Sequence, residues 1–130
     1  MAQFDQGVDI IWGAAGLSGL GVIEAAVEAD RYVIGADSDQ GHVAPAHVLT
    51  NGMKYVNNTV IHAVTSVLYG QFQPGIIALG VSEGALGYSD SLVPVDIQAA
   101  VNQLAARIAN GELTPPETID AVDAWLAEHR

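Results

Sequence analysis

The sequence predicts an α/β fold in which helices cover a mostly parallel sheet on both faces, giving three layers (α/β/α). Short apolar runs rich in β-branched residues alternate along the chain with segments whose apolar residues recur at helical spacing. No internal repeat or low-complexity linker interrupts this alternation. The length, 130 residues, is usual for one domain, so we expect residues 1–130 to form a single unit.

The first third of the sequence predicts a β-α-β unit. We expect a strand over residues 8–14, a glycine-rich turn around Gly16, and then a helix that Ser18 could cap. The apolar residues spaced to face the core from this helix are Leu20, Ile23, Ala26 and Val27. Residues 31–36 predict a second strand, which ends at the polar run beginning with Asp37. Two strands flanking a helix imply a right-handed crossover and therefore parallel pairing.

The middle of the sequence predicts two further strands with a helix between them. A third strand is expected over residues 47–53, and a fourth over residues 75–80, after which residues 81–91 are expected to form a loop. The intervening helix should end at Gly70. Its apolar face consists of Val56, Val60, Ile61, Val64 and Leu68.

Two helices are predicted for the remainder of the chain. The first should run from Pro94 to about Asn110, with a buried face of Ile97, Val101, Leu104, Ala105 and Ile108. Thr114 and Glu117 have the spacing of a capping box, so the second helix is expected to begin there. Its apolar stripe, which should pack on the rest of the domain, is Ile119, Val122, Trp125 and Leu126.

The composition excludes several classes of function. Four Lys or Arg against fifteen Asp or Glu give a net charge of −11, which repels phosphate backbones, so nucleic acid is not an expected partner. There is no cysteine to act as a thiolate nucleophile, and no apolar run approaches the roughly 20 residues of a membrane span. The first residues lack the features of a secretory signal, as expected for a cytoplasmic protein or for a chain that begins downstream of one.

Three candidate ligand-binding residues are expected at one edge of the sheet. Ligands of open α/β sheets bind outside the carboxyl ends of the strands. Gly16 lies in the turn after the first strand, Asp37 directly follows the second, and Lys54, the only lysine, follows the third. Glycine admits a ligand close to the backbone, a carboxylate can accept hydrogen bonds from vicinal sugar hydroxyls, and an ammonium group can donate to a ligand oxygen.

Each of these residues also has a structural alternative. The glycine turn could serve only the tight packing of strand against helix, Asp37 could cap its own turn, and Lys54 could pair with one of the fifteen acids. Asp39 is a second candidate carboxylate. Trp12 is either a core residue or, near the end of the first strand, a surface on which a base could stack.

Metal sites and enzymatic sites are not indicated. The run from Asp37 begins like a calcium loop, but Val48 occupies the twelfth position, where a bidentate glutamate is needed. His42 and His47 have no third clear ligand, and no serine lies in the G-x-S-x-G pattern of a nucleophile elbow. We therefore expect neither an enzyme nor a cofactor.

Several motifs in the same order resemble the basic membrane protein family of ABC-transporter solute-binding proteins, which includes purine nucleoside receptors. The segments that carry the resemblance are residues 7–12 (GVDIIW), Ala15 with Gly16, residues 19–26 (GLGVIEAA), residues 32–40 (YVIGADSDQ), and residues 48–50 (VLT) followed by Lys54. The resemblance extends from about Phe4 to Leu113. Residues 1–113 are thus family-like, and residues 114–130 form a less characteristic C-terminal helix.

This resemblance implies one lobe of a type I periplasmic-binding-protein fold and a function without catalysis. It implies that Asp37 holds ribose hydroxyls, that Lys54 assists, and that Gly16 lines the cleft of a nucleoside site. It also implies a periplasmic or cell-surface lipoprotein family, an ABC-transporter permease as partner, and an N-terminal lobe that is absent here. Because such a lobe exposes the helix over residues 56–68, a homo-dimer is expected.

Two alternatives stay open at this point. One is a self-associating or scaffolding α/β domain without a ligand. The other is an NAD(P)-dependent oxidoreductase, since a glycine turn after the first strand and an acid after the second also describe half of a Rossmann fold. Against the oxidoreductase, the sequence has no Tyr-x-x-x-Lys pair.

Overall fold

The computed structural model describes residues 2–128, which form five helices and four strands. The strands are β1 (Ile10–Trp12), β2 (Tyr32–Asp37), β3 (Val48–Lys54) and β4 (Leu86–Tyr88). The helices are α1 (Ala2–Asp5), α2 (Gly19–Glu28), α3 (Val56–Leu68), α4 (Val95–Ala109) and α5 (Ile119–Glu128). No helix within residues 2–128 combines the length and the apolar character that a membrane span requires.

The four strands form one sheet in the order β1-β2-β3-β4, and the α/β class is confirmed. The β1–β2 and β2–β3 pairs are parallel, whereas β4 runs antiparallel to β3. Parallel pairing follows from helix α2, which crosses from the end of β1 back to the start of β2. The carboxyl ends of the three parallel strands therefore lie on the same edge of the sheet.

Helix α2 packs one face of the sheet and forms the core. Ile23 and Ala26 are fully buried against Val33 of β2 and Val48 of β3, as the helical spacing predicts. Leu20 and Val27, predicted to share that face, are instead more than two fifths exposed. They lie at the margins of the apolar stripe, where a single helix no longer reaches the sheet.

The opposite face of the sheet and the later helices leave many apolar side chains accessible. Ile10 and Tyr32 are nearly half exposed on that face. No residue of α3, α4 or α5 is buried, so the predicted buried stripe of α4 is wrong, with Ile97 and Leu104 about half exposed. The final helix is held locally, because Trp125 Nε1 donates to the Thr114 carbonyl at 2.8 Å. Helical spacing predicts which residues share a face of a helix, but not whether another part of the protein covers that face.

The predicted fourth strand over residues 75–80 is wrong, and β4 lies inside the predicted loop. Gly75 has φ 135°, and Ile76 is fully exposed. Residues 86–88 become a strand because β3 offers its free edge to them, with Gly52 opposite Tyr88 and Lys54 opposite Leu86. A strand needs partners for its N–H and C=O groups, and no strand within residues 2–128 pairs with the apolar run at 75–80. Gly80, at its end, is hydrogen bonded instead to the turn that follows, through Glu83 and Ala85.

Two predicted caps are also wrong. Ser18 has helical φ and ψ and makes no capping hydrogen bond, because a 3₁₀ turn over Gly16–Ser18 leads into α2. Helix α5 begins at Ile119 and not at the expected Thr114, whose carbonyl binds Trp125. The end of α3 agrees with prediction, since Gly70 has φ 67°. The predicted final helix also includes His129 and Arg130, which lie outside the described residues.

Candidate functional site

Three parallel strands bring Trp12, Asp37 and Lys54 to the same edge of the sheet. Trp12 ends β1, Asp37 ends β2 and Lys54 ends β3. The register places Trp12 beside Ile34, and Ala36 beside Gly52. Because side chains alternate along a strand, Trp12, Ala36, Gly52 and Lys54 belong to the face of the sheet opposite α2.

These residues line an open pocket of about 370 Å³ at the edge of the sheet. Its lining consists of Trp12, Ala14, Gly16, Ala36, Asp37, Gly52 and Lys54. Four of the five residues singled out from the sequence, namely Trp12, Gly16, Asp37 and Lys54, therefore lie around one cavity. Asp39, the fifth, does not line it. We refer to this cavity as the rim pocket.

Asp37 and Lys54 form an ion pair at the mouth of the rim pocket. Lys54 Nζ lies 2.8 Å from Asp37 Oδ1, and the two side chains are 65% and 52% exposed. An ion pair this accessible contributes at most about 1 kcal/mol to stability. Breaking this ion pair therefore costs little free energy, so either group can bind a ligand atom instead. Together the two groups offer hydrogen-bond acceptors and donors side by side.

The backbone at Asp37 is strained. Its φ is 69°, in the left-handed region that residues other than glycine seldom occupy. The Ser38 N–H donates to the Ala36 carbonyl at 2.9 Å, closing a three-residue γ-turn with Asp37 at its centre. This hydrogen bond uses main-chain atoms only, and the Asp37 carboxylate binds Lys54 instead. The alternative that Asp37 caps its own turn is therefore not what the structure shows.

The glycines after β1 serve two different purposes. At Gly19, an added Cβ would lie 2.9 Å from the Gly13 carbonyl oxygen, so this glycine allows the close packing of α2 against the end of β1. Gly16 has φ 55° and open space where a Cβ would stand, and it lines the rim pocket. The packing alternative therefore describes Gly19, whereas Gly16 is free to approach a ligand.

Trp12 lies over the small residues of the pocket floor. Its side chain is 65% exposed, so it is not a core residue. A Cβ added at Gly52 would stand 3.9 Å from Trp12 Nε1, so any larger side chain there would fill the space under the indole. An exposed indole beside a cavity is a surface on which a planar group can stack.

Asp39 has a different role from Asp37. Its Oδ1 accepts hydrogen bonds from the Gly41 N–H at 2.9 Å and from Asn51 Nδ2 at 3.0 Å. The carboxylate is therefore engaged by the β2–β3 loop and by β3.

Sequence reasoning missed Ala14, Ala36 and Gly52 as lining residues. Each is small, and each is one or two residues away from a residue that was identified. Strand alternation could have found Ala36 and Gly52, because they share a face with Trp12 once the register is known. The sequence alone does not reveal the register in which the strands pair.

A second, larger groove of about 440 Å³ runs along α3. It is lined by Asn58, Ile61, His62, Thr65, Ser66, Gln71 and Glu83. The Glu83 carboxylate accepts hydrogen bonds from the Ser82 hydroxyl and the Gly80 N–H, and these bonds lower the pKa of Glu83 below its usual value. This carboxylate already orders its own loop, which makes the groove a weaker candidate than the rim pocket.

Histidines do not form a metal site in the described part of the chain. No group of three or more His, Cys, Asp or Glu side chains within residues 2–128 could hold a metal ion. His47 Nδ1 lies 3.0 Å from the Arg31 carbonyl oxygen, a contact that ties two loops.

Comparison with known proteins gives consistent results. Residues 2–117 match the sequence model of the family described as "Bmp: ABC transporter substrate-binding protein PnrA-like". Basic membrane protein B of Borrelia garinii subsp. bavariensis is 41% identical over an alignment of 131 positions, which covers 97% of this chain and 37% of that protein. Basic membrane protein A of Borreliella afzelii is 32% identical over an alignment of 132 positions, which covers 97% of this chain and 41% of that protein.

A solved structure shares the fold. The crystal structure of an ABC transporter system solute-binding protein from Aeropyrum pernix K1 superposes with a TM-score of 0.73 at 27% identity. The match covers 98% of this chain and 46% of the other. The chain thus spans less than half the length of the relatives it matches.

Proposed function

The chain belongs to the family of PnrA-like substrate-binding proteins of ABC transporters, and on this premise we propose that it is a lobe of a solute receptor whose rim pocket holds a nucleoside-like ligand. Asp37 accepts hydrogen bonds from the ribose hydroxyls, Lys54 donates to a ligand oxygen, and Trp12 stacks on the base. The observation that carries this proposal is the exposed Asp37–Lys54 ion pair at the mouth of a cavity floored by small residues.

The chemistry of the pair fits a ribose better than an anion. Vicinal hydroxyls present two adjacent donors, and a carboxylate can accept both through charge-assisted hydrogen bonds. Lys54 can keep its contact with Asp37 Oδ1 while Asp37 Oδ2 accepts from the ligand, so the two charges still neutralise each other. A ligand phosphate would instead face the Asp37 carboxylate.

The role is binding without catalysis. The family match favours this hypothesis over the dinucleotide-binding oxidoreductase, because the family consists of substrate-binding proteins. In a transporter the lobe would deliver its ligand to a permease from the periplasm or the cell surface. We treat residues 1–130 as one α/β unit in this proposal.

A ligand in the rim pocket needs cover from a second unit. The pocket is open, so a ligand bound from one side keeps much of its surface in water and binds weakly. The relatives are more than twice as long as this chain, which leaves room in them for another lobe. That lobe, or a second copy of this chain, would complete the site.

The proposal is tested by titrating the chain with inosine in a calorimeter and comparing it with the Asp37→Asn variant. Asparagine tolerates the left-handed backbone, so the substitution removes the charge without adding backbone strain. Hydrogen bonds to a charged group are worth about 1.5–3 kcal/mol, so the affinity should fall about tenfold or more.

Asp30→Asn is the matched control. Asp30 also has positive φ, 50°, but it precedes β2 and lies at the opposite end of that strand from Asp37. Its substitution should leave inosine affinity unchanged. A second control uses 2′,3′-dideoxyinosine, which lacks both hydroxyls and should bind the wild-type chain no better than inosine binds Asp37→Asn. Equal binding of inosine to wild type and Asp37→Asn would remove the assigned role.

Self-association is a second candidate function, favoured by the exposure of α3. Val56, Val60, Ile61, Val64 and Leu68 are all more than half exposed along this helix. Contiguous exposed apolar surface of this kind is typical of an interface. The same face can be covered by another lobe or by a second copy of the chain, and the two hypotheses for the rim pocket and for α3 are independent.

A further inference from the structure

Asn51 is a fully buried polar residue that lines no part of the rim pocket. It lies in β3 opposite Gly35, close to the turn that carries Asp37. Its side-chain amide is used at both ends. Nδ2 donates to Asp39 Oδ1 at 3.0 Å and to Ser89 Oγ at 2.9 Å, while Oδ1 accepts from the Gln40 N–H at 3.2 Å.

The partners of Asn51 hold the loop on the far side of Asp37. Asp39 Oδ1 also accepts the Gly41 N–H, and Gln40 Oε1 accepts the Ala36 N–H at 3.3 Å. The loop after Asp37 is thus bound to Asn51, and the residue before Asp37 is bound to that loop. Asp37 therefore lies between two segments that hydrogen bonds hold in place.

The local sequence makes room for this network. A Cβ at Gly35 would overlap the Asn51 amide and stand 2.7 Å from Gln40 Oε1, so only glycine admits both amides at this place. Ser89 secures the other side, because its Oγ accepts the Asn51 N–H at 3.0 Å and its N–H donates to the Asn51 carbonyl at 3.1 Å. Asn51 therefore joins the β2–β3 loop to Ser89, the residue that follows β4.

A left-handed backbone at Asp37 persists only where the surroundings enforce it. The hydrogen bonds that tie the segments on both sides of Asp37 converge on Asn51. We propose that Asn51 is a positioning residue, which acts through Asp39 and Gln40 to hold the Asp37 turn and so to aim the carboxylate at Lys54 and the rim pocket. The effect of Asn51 on ligand binding rests on the proposed function, whereas its effect on the Asp37 turn is independent of that function.

The variant Asn51→Asp tests this with little change of shape. It replaces the Nδ2 donor by an oxygen that faces the Asp39 carboxylate, so attraction becomes repulsion. In the ligand-free chain, the Asp37 HN–Hα coupling, which reports φ, should change, and the Ser38 amide should exchange about tenfold faster relative to global unfolding. Inosine affinity, measured by calorimetry, should fall about tenfold.

The double variant Asn51→Asp with Asp39→Asn exchanges amide and carboxylate and restores a donor between the two positions. It should recover part of the wild-type coupling, exchange and affinity, because the amide nitrogen introduced at position 39 can donate to the carboxylate introduced at position 51 but cannot accept the Gly41 N–H as the Asp39 oxygen did. A merely structural role for residue 51 does not predict this rescue. Asn58→Ala is the control. Asn58 Nδ2 binds the Gly84 carbonyl away from Asp37, so its loss should alter unfolding but not the Ser38 amide.

The outcomes separate the two proposals. If Asn51→Asp changes the global unfolding free energy while the Asp37 coupling and the relative Ser38 exchange stay wild-type, the positioning role is overturned. If the wild-type chain does not bind inosine, the ligand assignment fails, and the turn measurements still decide the role of Asn51. Should Asn51→Asp not fold, the double variant Asp39→Ala with Gln40→Met removes the bond from Asn51 to Asp39 and the bond from Gln40 to Ala36, and an unaltered Asp37 turn in that variant would equally refute the proposal.

Discussion

Asp37 combines a strained backbone with an accessible charge. The two properties are linked, because the left-handed φ of 69° ends β2 abruptly and leaves the carboxylate at the edge of the sheet, where Lys54 meets it. Sequence alone predicts the position of this carboxylate at the end of a strand. The turn geometry follows from hydrogen bonds between segments distant in sequence, such as Gln40 with Asn51, and no local pattern reveals them.

At the same scale, Glu83 predicts a local pH dependence. The Ser82 hydroxyl first, and the Gly80 N–H second, favour the charged carboxylate and lower its pKa in the folded chain. A lowered pKa means that these bonds are intact above the unfolded value and are lost as pH falls through the folded one. The Glu83 carboxyl carbon, followed by NMR, should titrate at a higher pH in Ser82→Ala than in wild type, and an identical midpoint would contradict this cause.

At the scale of elements, the three parallel strands and the helices α2 and α3 are predicted from sequence because each carries its own local signal. Residues 75–80 and 86–88 show the limit of prediction from local sequence signals. The first segment (GIIALG) is a longer apolar run than the second (LGY), yet only the second lies along the free edge of β3. The stripe of α4 is a similar case, since periodicity shows that a face is apolar but does not provide the surface that would bury it.

Alanine substitutions at Gly35, in the contact between β2 and β3, and at Gly21, in α2, should have opposite effects on stability. Gly35→Ala forces a methyl group against the buried Asn51 amide and should destabilise the chain by about 1–3 kcal/mol. Gly21→Ala is the matched control, since it lies within α2 with open space at its Cβ position and should stabilise by about 0.5–1 kcal/mol. Urea unfolding measures both. A neutral Gly35→Ala would mean that the amides can move aside.

At the scale of the whole molecule, many apolar side chains of the described residues lie outside the core and are exposed. Helix α2 covers one face of the sheet, while α3 is exposed along its length. Such a distribution is typical of a lobe that has a neighbour. The charge of −11 opposes contact between identical chains, so self-association should strengthen as salt screens that repulsion.

The exposed helix predicts a concentration-dependent dimer. Sedimentation should show self-association of the wild-type chain, and Val64→Asp should weaken it by placing a charge in the apolar face of α3. Ser66→Asp, which adds the same charge to the same helix outside the Val60 and Val64 positions, should have a smaller effect. A wild-type chain that sediments as a monomer at high concentration would exclude this interface.

Under the proposed function, the ion pair at the mouth of the rim pocket would also affect selectivity among solutes that approach from a distance. The charges of Asp37 and Lys54 cancel locally, so the remaining field at the rim comes from the acidic bulk of the chain. Uncharged nucleosides diffuse in without penalty. Nucleotides meet a negative potential before they touch the protein. This discrimination against nucleotides grows as the ionic strength of the medium falls.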